Sequence, residues 1–399
     1  MTQAVSTSKA QGSLERALTL GPLILYGMGV IVGAGIYVAL GAVMQRAGAA
    51  APISFLLAGA SAALTGLCYA ELAARFPEAS GAAAFVRHGF RSDVLGGIVA
   101  LAITAATGIA AASIAHGAAV YLRELIALDP WFLTTLVIAA NTAIAIYGVK
   151  MSVGLAAAIG ALEILGLLAA VVAGLYLAPD FKVHDIVPVD IAGWRGAFGG
   201  AFIAFFAFIG FETLVNMAEE AKNPTRTVPM GIVGAIAASV ALYVMVALSV
   251  VLSDQTGGNP LLNLFEGKPA LIFAAIGSVS IANGVLVEIV MLSRLFYGMA
   301  RIGRLPQAIG RIDPFTRTPV LATLAAGAII LATALLVPFE RLLVAANAMT
   351  LVIFLFVDAS LLLIKRRDRS PPPAFCAPRL APPAAVAVTM ILLLAGASG

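Results

Sequence analysis

The chain has 399 residues, 61% of them hydrophobic and only 11% charged, with a mean hydropathy of +1.03. A soluble domain of ordinary composition carries about 25% charged residues, so this composition excludes one. The apolar stretches are also too long, and too poor in period-two alternation, for barrel strands. The predicted class is therefore an all-α polytopic membrane protein.

Residues 1–18 are polar and charged, with no apolar run before Leu18. They are expected to form an N-terminal tail without a cleavable signal peptide. About 20 apolar residues cross some 30 Å of hydrocarbon, and runs of that order fall at 20–44, 51–74, 93–120, 131–149 and 153–178. A second series falls at 196–217, 228–252, 270–293, 319–337 and 341–364, followed by a shorter run at 383–397. This predicts about eleven spans. With a cytoplasmic N-terminus, only Arg46, Arg123, Lys182, Arg195, Lys268 and Arg341 of the 24 Lys and Arg residues lie outside. The positive-inside rule favours that orientation strongly. The net charge of +4 and the isoelectric point near 9.2 then follow from topology and give no argument for nucleic acid.

The first span contains GMGVIVGAGIYVALG at 27–41, with Gly27, Gly29, Gly33, Gly35 and Gly41. Each glycine weakens a helix interior by about 0.5–1 kcal/mol relative to alanine. Small residues let membrane helices pack closely, which is one reading. The other is a broken helix, since unwound backbone is tolerated at membrane depth where it lines a cavity or is buried in protein. Freed amides can then hold a carboxylate, and freed carbonyls an ammonium group or a cation. The sixth span, GGAFIAFFAFIGFETLVNMAEEAKNP, favours the broken helix, because Gly210 stands beside the carboxylate of Glu212 deep in an apolar run. Spans 1 and 6 would occupy equivalent places in two five-span units. An odd number of spans per unit turns the second unit upside down relative to the first.

Several carboxylates lie within spans, where a charge at the bilayer centre costs at least about 2.5–3.5 kcal/mol. Glu71 sits one turn before Arg75, and an i,i+4 ion pair accounts for it. Glu288 and Asp358 lie six and seven residues before Arg294 and Lys365, and structural or gating roles suit them. Glu163 is about ten residues into its span, roughly 15 Å deep at about 1.5 Å per residue, with no basic residue near it on the same helix. Glu163 and Glu212 are therefore candidate proton carriers. Ser278, Ser280 and Asn283 in the eighth span could supply oxygens to a sodium ion or could be packing residues. Cys68 and Cys376 suggest neither a disulfide framework nor a metal site. His88, His116 and His184 form no cluster an enzyme would need, and no cofactor is implied.

Four strings in order carry a family resemblance: GVIVGAGI at 29–36, YAELAARFPEASGAAAFV at 69–86, FFAFIGFE with EEAKNPTRTVP at 205–229, and SRLFYGMARIGRLP at 293–306. Together they resemble an amino-acid permease of the amino acid–polyamine–organocation superfamily, over nearly the whole chain. Ala82 stands where many members have a second glycine. The resemblance implies a leucine-transporter-like 5+5 inverted repeat with spans 1 and 6 broken. It divides the chain into a cytoplasmic tail (1–18), a first repeat (19–178), a second repeat (196–366), and a Pro-rich connector with a terminal helix (367–399). It implies that the substrate's carboxylate rests on the amides of Val32, Gly33, Ala34 and Gly35. The amine would face carbonyls near Gly29, Val30 and Ile31 and near Phe205 to Phe208, below Gly210. Phe206 would be an aromatic lid. Glu163 departs from the pattern, falling where several proton-coupled relatives carry a lysine. The function expected is secondary active transport of an amino acid, neutral in view of Phe205, Phe206 and Phe208, across the cytoplasmic membrane by alternating access with proton symport. The alternatives are sodium coupling, exchange, or a polyamine or cationic amino-acid substrate.

Overall fold

The computed structural model describes residues 19–76, 81–148, 153–178, 186–219, 221–367 and 373–397. The expected N-terminal tail, part of the 77–80 loop string, His184 and the first half of the Pro-rich connector lie outside the described residues. The described residues form twelve α-helices: α1 (Leu20–Ala47), α2 (Ala51–Arg75), α3 (Gly81–Phe90), α4 (Asp93–Arg123), α5 (Pro130–Tyr147) and α6 (Val153–Leu177), then α7 (Ile191–Ala204), α8 (Pro224–Leu252), α9 (Lys268–Arg301), α10 (Val320–Leu336), α11 (Phe339–Arg367) and α12 (Ala381–Ala397). No β-strand occurs among the described residues. Eight apolar runs are long enough to cross a membrane; the first folds as both α1 and α2, and the shorter α10 and α12 complete eleven spans. This is a multi-pass membrane protein.

Local chemistry sets several helix ends. Ser92 and Asp190 accept the amides of Leu95 and Gly193 and cap α4 and α7, the usual use of short polar side chains at helix starts. Proline stands in the first turn of α5, α8 and α9, where its missing N–H costs nothing.

Helix α3 is a correction to the sequence reading, which placed loop there. GAAAFVRHGF is too short to span. It buries Ala82, Phe85, Val86 and Gly89, an i, i+3, i+4, i+7 stripe, and packs on α4 and α11. Its His88 ring stacks on Phe76 at 4.6 Å. A ten-residue amphipathic stripe is easily missed in a search for membrane-length runs.

The packing is paired between the two halves. Helix α1 packs on α7, α2 on α8, α4 on α9 and α5 on α10. The cross-contacts are matched as well: α1 with α8 mirrors α2 with α7, and α5 with α9 mirrors α4 with α10. Glycines allow much of the approach: a β-carbon added to Gly66 would lie 2.4 Å from Ile236, and one added to Gly117 would lie 2.4 Å from Val38.

Where α1 begins, the bundle is closed by a buried polar ring. Glu71, fully buried in α2, pairs with Arg75 at 2.8 Å as the sequence predicts. It also pairs with Lys365 of α11 at 2.7 Å and accepts the Ala377 amide at 2.8 Å. Lys365 in turn donates to the Ala377 carbonyl at 2.7 Å. The connector is thus tied to both helices. About two turns deeper, Asp358 accepts the Thr65 hydroxyl at 3.0 Å. Removing one partner of a buried pair costs about 3–5 kcal/mol. Lys365→Ala should fall at the low end of that range because Arg75 and the Ala377 amide still serve Glu71. A lowered melting temperature in detergent, with little further loss in the Lys365→Ala/Glu71→Gln double variant, is the expected result.

A candidate substrate site at two helix breaks

Helix α1 is not continuous. Gly33 has non-helical backbone angles (φ −10°, ψ −132°), so the span is two helical pieces joined at that residue. The sixth span breaks more extensively. Helix α7 ends at Ala204, a 3₁₀ turn covers Phe205–Phe208, Ile209 is extended, and Gly210 has φ +124°. A further 3₁₀ segment, Phe211–Glu219, completes the span. Glycine alone adopts the Gly210 conformation without strain.

The two breaks lie side by side and antiparallel. A β-carbon on Gly210 would lie 3.0 Å from the Val30 side chain and 3.2 Å from its carbonyl oxygen. One on Gly35 would lie 2.7 Å from the Ala207 Cα. As one chain advances from 30 to 35, its neighbour retreats from 210 to 207. By contrast, nothing lies within 4 Å of a β-carbon built on Gly33. Space thus opens at the break itself, while Gly29, Gly35 and Gly210 are in close contact.

Several other spans contact the breaks, among them α6, α8, α9 and α11. Helix α6 meets α1 glycine to glycine: a β-carbon on Gly160 would lie 3.0 Å from the Gly29 Cα. One turn on, the Glu163 carbonyl accepts the Tyr37 hydroxyl at 3.3 Å. The Glu163 side chain is 2% exposed and lies beside the Ser280 hydroxyl of α9. No lysine or arginine pairs with it among the described residues. Gly284 of α9 faces Ala34, its β-carbon position 3.1 Å from the Ala34 methyl. On α8, the buried Tyr243 hydroxyl lies 2.8 Å from the Ile31 carbonyl oxygen and 2.9 Å from that of Ala207. One hydroxyl is thus shared between the two breaks. Asn347 of α11 donates to the carbonyls of Phe202 and Ile203, where α7 ends.

The remaining predicted residues are placed as follows. Phe205, Phe206 and Phe208 are buried, and Phe208 packs on Tyr243 with ring centroids 5.1 Å apart. Val32 and Ala34 are buried on α1. Glu212 turns back on its own backbone, accepting the Gly210 amide at 2.9 Å, and so holds the turn that breaks the span. Ser278 gives its hydroxyl to Ala274 of its own helix at 2.8 Å. Ser280, two residues on, faces the other side, so these two do not converge on one ion; Asn283 is half-buried. Sequence reasoning missed Tyr243 and Asn347. Each is one of several polar residues in an apolar span, and only the breaks they serve distinguish them from packing residues. Tyr243→Phe leaves two buried carbonyls short of a donor, at a cost of about 1–3 kcal/mol. A melting temperature equal to wild type would show that the hydroxyl ties neither break.

Membrane spans unwound in pairs at the centre of a two-part bundle define the carrier class of membrane proteins. The chain belongs to the amino acid permease family, whose profile matches residues 19–398, within the amino acid–polyamine–organocation superfamily. It is 32% identical over 343 residues to cationic amino acid transporter 9, chloroplastic, of Arabidopsis thaliana, covering 78% of this chain and 60% of that one. It is 28% identical over 399 residues to cationic amino acid transporter 4 of Mus musculus, covering 92% of this chain and 63% of that one. It is 29% identical over 399 residues to a methylthioribose transporter of Bacillus subtilis, covering 92% and 84%. The chain thus spans about three fifths of the length of these cationic amino acid transporters. The family and these relatives are transporters, not enzymes.

Proposed function

We propose that the chain is a secondary active transporter that carries an amino acid between its two helix breaks by alternating access. The observation that carries this reading is the antiparallel pairing of residues 30–35 with 207–210, with open space at Gly33 between them. In this reading the amides of Val32, Gly33, Ala34 and Gly35 receive the carboxylate, as freed amides at a half-helix start do. The carbonyls of Gly29, Val30 and Ile31 and those of Phe205 to Phe208 receive the amine, which shares the Ile31 and Ala207 oxygens with the Tyr243 hydroxyl. Phe206 closes over the substrate. The two halves, 19–178 and 196–366, act as inverted repeats, a relation that the paired helix contacts support. The Lys and Arg distribution supports a cytoplasmic N-terminus, and in this reading the chain lies in the cytoplasmic membrane.

Glu163 is the proton carrier in this reading. It is a buried carboxylate with no basic partner among the described residues, on the helix that touches α1 at Gly29. The aromatic 205–208 turn suits a neutral side chain. A second reading, a cationic amino acid with Glu163 as its counter-charge, is favoured by the names of several relatives. Purified protein in proteoliposomes tests both. Labelled alanine, leucine, phenylalanine, arginine, lysine and putrescine are offered with imposed pH or sodium gradients, and methylthioribose is added as a ligand of the Bacillus relative. Saturable counterflow of a neutral amino acid, increased by a pH gradient, is expected. Counterflow of arginine or lysine alone selects the second reading. No counterflow of any amine overturns both.

A further inference from the structure

Asn347 is fully buried in α11, within the apolar run LLVAANAMTLVIF. Its Nδ2 donates to Phe202 O at 2.9 Å and to Ile203 O at 3.1 Å. These carbonyls belong to the last turn of α7. The chain leaves the α-helix there for the 3₁₀ turn at Phe205–Phe208, so the regular intrahelical bonding changes at that turn. The other buried asparagine among the described side chains, Asn141 of α5, gives its Nδ2 to Val137 on its own helix at 2.8 Å. Asn347 instead reaches across to another span, at the point where that span breaks. Its Oδ1 has no hydrogen-bond partner among the described residues. The amide's two donor bonds are therefore what the position uses.

The two halves share this arrangement. The fifth span of the first half, α6, meets the broken first span through Gly160 and through the Glu163 carbonyl. The fifth span of the second half, α11, meets the broken α7 through Asn347. We infer that Asn347 is a positioning residue for the substrate site: it fixes the end of α7 and thereby the carbonyls and aromatic rings of 205–208. The inference rests on the transport reading above for its substrate. With both bonds gone, binding must itself order the 205–208 turn, and that cost appears as weaker affinity.

The test compares wild type with Asn347→Leu, which keeps the volume and removes the donors, and with Asn141→Leu as a control for losing a buried asparagine. Counterflow kinetics of the amino acid that wild type carries are measured in proteoliposomes. Hydrogen–deuterium exchange over peptides spanning 202–210 is followed in substrate-free protein. Loss of two neutral hydrogen bonds predicts a KM raised about tenfold or more, with Vmax within about twofold, in Asn347→Leu only. Exchange at 205–210 should be faster in Asn347→Leu and unchanged in Asn141→Leu. If Asn347→Leu does not fold, Asn347→Ser, which keeps one donor, should give a smaller KM increase with the same local exchange. An unchanged KM, a fall in Vmax alone, or equal shifts in both asparagine variants overturns the inference. If wild type carries no amine, the transport reading has failed, and the exchange comparison alone decides whether Asn347 holds the break.

Discussion

Gly35→Val is expected to abolish substrate counterflow. A β-carbon at Gly35 would lie 2.7 Å from the Ala207 Cα and 3.1 Å from its carbonyl oxygen. Both neighbours are backbone, so neither can rotate away. Overpacking of this kind costs about 1–3 kcal/mol where side chains can shift, and here it pushes the two breaks apart. Ile31 O and Ala207 O could then no longer share the Tyr243 hydroxyl. Gly33→Ala should behave differently. Nothing stands within 4 Å of its β-carbon, so the methyl fills the space assigned to the substrate. The expected result is a melting temperature near wild type with substrate affinity lost. If Gly35→Val carries substrate with wild-type KM, the close pairing of the breaks has no part in binding.

Glu163→Gln should uncouple transport from the pH gradient. The amide has the shape and neutrality of the protonated acid, so the contact between α6 and α1 at Gly160 and Gly29 is retained. Exchange of labelled for unlabelled amino acid should persist near the wild-type rate. A pH gradient should no longer drive accumulation. The measurement is uptake into proteoliposomes with and without an imposed gradient, beside counterflow on the same preparation. Accumulation with wild-type pH dependence in Glu163→Gln would place the proton elsewhere. Glu212, which accepts the Gly210 amide, and the buried Asp358, which accepts the Thr65 hydroxyl, would then be the next candidates.

The spans were legible because the hydrocarbon imposes one length on all of them, and most observed helix ends fall within a few residues of the runs read from sequence, while α9 runs on to Arg301 and α7 starts at Ile191. The breaks were legible at Gly33 and Gly210 because helix-weakening residues deep in apolar runs need a reason. Their partners were not. Whether a glycine serves packing or unwinding depends on what stands opposite it: Gly29 faces Gly160 and Gly35 faces Ala207, whereas Gly33 faces open space. Both readings of the glycine run therefore hold, at different residues. Glu71 shows the same limit. Its i,i+4 partner was visible in sequence, but Lys365 and the Ala377 amide are about three hundred residues away and reach it only through the fold. Tyr243 and Asn347 were invisible for a related reason, since a tyrosine or asparagine in a span has no distinguishing neighbours along its own helix.

The most direct test of the central claim is amide exchange on the wild-type protein in lipid nanodiscs, with and without a saturating transported amino acid. If the substrate lies between the breaks, peptides covering 29–36 and 203–210 should both gain protection on its addition, while α5 and α10 should not change. Protection confined to segments outside the two breaks, or to one break alone, would contradict the account.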